Sequence, residues 1–143
     1  MTQRDLEKVK RIDEQLVCAK SRYEMLALDI ATSSTKAIDG MPHTVTNNTK
    51  SPTEDKGIKL AEASRKVKRK ERELKEARAE LRAKLAEEEE KSKEKNVLLT
   101  LVIEYRAVLL YDWNKIAKSF NGRFTAEYLR QLYHRYKNKL PEK

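Results

Sequence analysis

Two long segments of this chain place apolar or small residues at alternating four- and three-residue steps, and that spacing constrains the fold more than any other feature. In the first segment the steps run Ile12, Leu16, Ala19, Tyr23, Leu26 and Ile30, with Leu6 and Val9 extending them toward the N-terminus. In the second, Leu60, Val67, Leu74 and Leu81 are seven apart, with Ala63 and Ala77 between them and Lys70 and Lys84 at two further positions. Such a repeat is a heptad seam on an α-helix. Each apolar stripe is too narrow to hold a lone helix together in water. The two helices must therefore pair, either as an antiparallel hairpin within one chain or across chains. Helices are expected over about 2–32, with Thr2 as cap, and from near Gly57 at least to Leu85.

Between them, "SSTKAIDGMPHTVTNNTKSPTEDK", residues 33–56, is rich in Ser, Thr and Asn and broken by Gly40, Pro42 and Pro52. It reads as a loop, long for a compact protein. After the second helix, "EEEEKSKEK", residues 87–95, is hydrophilic all round and is either a solvated continuation or a hinge. The polybasic stretch "RKVKRKER", residues 65–72, reads as the outer face of a coiled coil, its charge partly cancelled by acidic neighbours, with a second stretch of nucleic-acid backbone as the alternative place for it.

Residues 96–143 change character. "NVLLTLVIEYRAVLLYD" is the most apolar run and suits a buried helix starting near Asn96. Asp112 is placed to cap a short helix, "WNKIAKSF", and "NGRF" follows as a turn in which Gly122 can take positive φ. Thr125 then caps a last helix that ends at Pro141. Trp113, Ile116, Ala117 and Phe120 on one short helix, and Leu129, Leu132 and Tyr136 on the next, are the expected inward faces, with Tyr128 packing behind the cap. The fold class is therefore all-α: a long-helix coiled-coil hairpin over 1–95, then a three-helix helix-turn-helix module over 96–143.

Charge points to the partner. The chain carries a formal +9, and residues 96–143 hold nine basic and four acidic side chains. Such an excess fits a polyanion, nucleic acid before membrane. The outward face of the last helix offers Ala126, Glu127, Arg130, Gln131, His134 and Arg135. Arg can grip guanine bidentately, Gln adenine, Glu can accept from cytosine, and Ala can meet a thymine methyl. Lys115, Lys118, Arg123, Thr125, Lys137 and Lys139 flank that face as candidate phosphate contacts.

Other chemistries find little support. Cys18 is alone, and His43 and His134 lie far apart without carboxylates at ligand spacing, so no metal or other cofactor is expected. Ser33, Ser34 and Thr35 have no base arranged to activate them, and no Gly-rich phosphate loop is present, so no enzyme is expected. The longest apolar run is too short to span a bilayer and the first residues are charged, which points to a cytoplasmic protein without a membrane partner.

The residues "GMP" in the polar loop, the charged coiled-coil helix after it, and "EYR…LLYDWNKIAKSF…FTAEYLRQLYHRYKNKL" together resemble the small phage-encoded activators of the RinA/ArpU type. The C-terminal half of those proteins is similar to region four of bacterial sigma factors. Tyr105-Arg106, Trp113, Ile116-Ala117 and Thr125 take the places of that pattern's Arg-aromatic segment, Trp, Ile-Ala pair and helix-opening Ser. "SFNGRF" replaces a leucine-rich turn, and His43 follows the Met-Pro where Arg is usual. The resemblance implies control of phage or prophage transcription, with contact to RNA polymerase. The expectation is thus a sequence-specific duplex-DNA-binding regulator, assembled as a homo-oligomer through its heptad helices. The alternative is a coiled-coil adaptor or inhibitor that binds RNA polymerase or a host defence protein.

Overall fold

The computed structural model describes residues 1–36 and 52–143, and every described element is a helix. Helix α1 spans Gln3–Lys36 and α2 spans Pro52–Lys91. Both are longer than the sequence suggests. Residues 33–36 and 52–56, expected in the loop, are helical, and α2 opens on Pro52, a residue suited to a first helical turn. The rest of the expected loop, residues 37–51 with its "GMP" and His43, lies outside the described residues. The hydrophilic run after Leu85 divides: it stays helical through Lys91, and the chain leaves the helix at Ser92.

Thr2 and Asp5 form a reciprocal cap. The Thr2 amide donates to Asp5 Oδ2 at 2.8 Å, and the Asp5 amide donates to Thr2 Oγ1 at 3.3 Å. This satisfies two of the backbone donors that every helix start leaves open.

The chain groups into two compact units. One comprises Met1–Asp13 with Glu73–Lys143, and the other Glu14–Arg72. The sequence suggests a different division, 1–95 and 96–143. In the first unit Leu6 and Val9 of α1 are buried, as are Leu74, Ala77, Leu81 and Leu85 of α2. Lys84 pairs with Asp5 at 2.7 Å and Lys8 with Glu80, so the two helices run antiparallel there. In the second unit Leu16, Ala19 and Ala63 are buried. Lys70 donates to Gln15 at 3.0 Å, Lys20 pairs with Glu71 at 3.7 Å and Lys56 with Asp29 at 3.4 Å, again antiparallel. Tyr23, expected in the seam, is instead exposed. Of the two pairings the spacing allows, within one chain or across chains, the described helices show the first in each unit.

The terminal module starts with α3, Val97–Ile103, whose cap Asn96 accepts from the Leu99 amide at 3.1 Å. The apolar run does not stay α-helical. It widens into a π-helical turn at Glu104–Val108, and Leu110 then takes φ 58°. A residue with a side chain costs roughly 1–2 kcal/mol in the left-handed region. The compensation is local burial: Val102, Ile103, Ala107 and Val108 are all at most 2% exposed. Short helices α4, Trp113–Ser119, and α5, Ala126–Lys139, follow.

Candidate nucleic-acid interface

The module is held by a small apolar centre. Ile116 of α4 and Leu129 of α5 are fully buried and Tyr133 is nearly so; α5 packs on α3 and α4 on the π-helical turn, where Val102 and Val108 are also fully buried. Tyr133, whose ring lies edge-on to Trp113 at 5.6 Å, takes the anchoring place expected of Leu132 and Tyr136. Those two are only half-buried, because Leu129 and Tyr133 at four-residue spacing centre the inward stripe between them. Burial also raises the Tyr133 phenol above its ordinary pKa. Tyr136 instead reaches Glu88 of α2, and burial together with that hydrogen bond raises its phenol strongly.

The joint between α4 and α5 is set by backbone chemistry. Gly122 takes φ 72°, as its lack of a side chain permits, and Asn121 joins it at φ 54°. The Thr125 hydroxyl accepts from the Tyr128 amide at 3.2 Å and opens α5. Asp112 stands at the start of α4 but its side chain accepts no capping bond; only its backbone carbonyl is used, by the Ile116 amide at 3.0 Å. Tyr128 does not pack behind the cap. It is exposed and stacks on Phe124 at 5.7 Å, which in turn meets Phe120 edge-on.

The corner before α4 is fixed by cations on rings. Arg106 lies 4.9 Å from the Trp113 ring and donates to the Tyr111 carbonyl at 2.9 Å. Lys115 sits 3.8 Å above Tyr111, and Tyr111 stacks on Tyr105. Arg106 and Tyr111 were not singled out as site residues by sequence reasoning. The available signal was an Arg seven positions before a Trp, on consecutive helical segments, a weak cue without the left-handed corner that brings them together.

On the outward side of α5, Glu127, Arg130, Gln131, His134 and Arg135 are exposed, and Ala126 is half-buried. Among the described residues, no part of α1 or α2 covers this face: the contacts of the long helices with α5 are made by Tyr136 and Lys137 on its other flank. The exposed groups are partly engaged with one another. Glu127 accepts from Arg130 at 2.9 Å and from Gln131 at 3.4 Å, and the Arg130 bond holds its carboxyl below the usual range. His134 leans on Trp113 and Tyr133. Arg135 forms no ion pair among the described residues.

Of the candidate phosphate contacts, Lys115, Lys118, Arg123, Thr125 and Lys139 are exposed. Lys137 is not available in the same way. Its ammonium lies 2.6 Å from Glu7 of α1 and is only 23% exposed, and it lowers the Glu7 pKa together with Arg11. A residue in the last turn of α5 thus ties the module to the first helix instead of facing outward. Beside the α4–α5 joint, Val97, Leu98, Leu101, Phe120 and Phe124 line an open apolar groove with Arg123 on its edge.

Among the described residues no group of His, Cys, Asp and Glu is arranged to hold a metal ion, and no helix is long and apolar enough to cross a membrane. Comparison with protein families, with curated proteins and with solved structures finds no match.

Proposed function

We propose that this chain is a sequence-specific duplex-DNA-binding regulator that lays α5 in the major groove. The observation that carries this reading is the uncovered outward face of α5. Five polar or charged side chains stand there on one helical surface, flanked by Lys115, Lys118, Arg123 and Lys139. A helix of this width fits a groove of about 12 Å. Arg130 and Gln131 are the groups suited to reading guanine and adenine edges, and Ala126, Glu127, His134 and Arg135 adjoin them. The lysines, Arg123 and the Thr125 hydroxyl anchor phosphates and fix the register. The resemblance to phage-encoded RinA/ArpU-type activators supports a role in phage or prophage transcription in the host cytoplasm, with RNA polymerase as a further partner.

Selection of genomic fragments at physiological salt, followed by gel shift, tests this. Wild-type protein should select a defined site, and R130A/Q131A should bind it no better than random duplex while keeping its helicity. Equal discrimination by the double variant refutes the reading. The alternative of a protein-binding adaptor draws on the open apolar groove beside the α4–α5 joint. It requires that no duplex shift occur even at low salt.

A further inference from the structure

The sequence assigns residues 65–72 a charge partly cancelled by neighbouring acids, and the helix sorts which of these cations stand outward. Within the unit Glu14–Arg72, α2 turns Ala63 and Val67 toward α1. At 100° per residue, Arg65, Lys68 and Arg72 fall on the opposite side. All three are exposed and form no ion pair among the described residues. Arg69, also exposed, lies on the same side. The one acidic residue of 65–72 stands elsewhere, Glu71 turning to Lys20 of α1 at 3.7 Å, while Glu62, one turn before Arg65, borders the row on its N-terminal side. What remains outward is a row of cations over two helical turns, roughly 10 Å at 1.5 Å per residue.

We propose that this outer row of α2, Arg65, Lys68 and Arg72, is a second polyanion-binding surface that lies against the phosphate backbone of a nucleic-acid duplex. A duplex presents about one negative charge per 1.7 Å, so a 10 Å row faces several phosphates at once. Guanidinium groups grip phosphate oxygens in pairs and hold tighter than a point charge does. A lipid surface fits less well. The apolar seam of α2 is used against α1, and the outward side between 61 and 72 carries only Ala61 besides its charged groups, leaving nothing to insert between acyl chains. The contact is independent of base sequence. It rests on the duplex-binding reading but not on α5 being the element that reads bases.

The test is the full chain against its R65Q/K68Q/R72Q variant. Binding to the selected site and to random duplex is measured from 50 to 300 mM salt, alongside sedimentation with vesicles of phosphatidylserine and phosphatidylcholine. The slope of log affinity against log salt should flatten by about 2.7, at about 0.9 for each phosphate no longer neutralised. The ratio of specific to random affinity should stay unchanged. An unchanged slope in a variant of unchanged helicity overturns the second surface while leaving the recognition helix standing. Loss of vesicle binding with an unchanged duplex slope overturns it in favour of a membrane. Wild-type binding that lacks any sequence preference, yet flattens in the variant, supports the row and sinks the α5 reading. No duplex binding by the wild type overturns both.

Discussion

Lys118 and Lys137 look alike in the sequence, both basic and both beside the proposed groove face, yet the structure separates them. Lys118 is exposed on α4 with no ion-pair partner among the described residues, whereas Lys137 spends its charge on Glu7 at 2.6 Å. The module therefore offers four outward cations to phosphates, Lys115, Lys118, Arg123 and Lys139. At about 0.9 per neutralised phosphate these contribute roughly −3.6 to the slope of log affinity against log salt. Between 50 and 200 mM salt, a fourfold change, that share alone weakens binding about 150-fold. K118A should flatten the measured slope by about 0.9 without altering the melting temperature. K137A should leave the slope nearly unchanged. It should instead destabilise the fold by roughly 0.5–1 kcal/mol, the scale of a half-exposed ion pair. The assay is fluorescence anisotropy with a labelled duplex at five or more salt concentrations, paired with thermal melts. If K137A flattens the slope as much as K118A does, Lys137 leaves Glu7 on binding and the count of four is wrong.

Other outcomes follow from the same geometry. E127Q removes the negative charge that pairs with Arg130, so affinity for random duplex should rise roughly threefold at low salt while discrimination falls, as gel shifts with both duplexes would show. L129A empties a fully buried site and should cost about 2–5 kcal/mol in a denaturant melt. G122A meets no atom within 4 Å, so its cost is the left-handed backbone alone, roughly 1–2 kcal/mol; a larger loss would mean that the joint is more crowded than it stands here. Asp5, held by Lys84 first and by Thr2, has a pKa of about 2 against an ordinary 3.8. A depressed carboxyl stabilises above its unfolded pKa and stops doing so as pH falls through the folded one. D5N should therefore be less stable than wild type at pH 6 by roughly 1–2 kcal/mol after allowing for solvent screening, and the gap should narrow below about pH 5 and close only by about pH 1.

The fold was legible wherever one periodicity governed many residues. Leu16, Ala19, Ala63, Leu74, Ala77 and Leu81 are buried where the heptad spacing placed them, because a narrow stripe on a long helix has only one way to leave water. Whether the stripes meet within or between chains was not legible. That choice depends on loop closure and on cross-helix pairs such as Asp5–Lys84, whose partners are seventy-nine positions apart in sequence. Thr125 and Gly122 were legible because capping and positive φ are local demands met by few residue types. The corner before α4 was not. A π-helical turn and a left-handed Leu110 oppose local preference, and tertiary burial of Ala107 and Val108 overrides it.

The same distinction decides how far the candidate site can be read from composition. Net charge counts every Lys and Arg equally, but binding counts only those whose charge is uncommitted. Lys137 and Lys84 are held by Glu7 and Asp5, so they serve the fold. Arg65, Lys68 and Arg72 read as partly cancelled in sequence; of the acids near them, the helix turns Glu71 toward Lys20 of α1. Helical phase, not proximity in sequence, sorts structural cations from available ones. It leaves the outward faces of α5 and of the middle of α2 as the surfaces where a phosphate can displace water instead of a carboxylate.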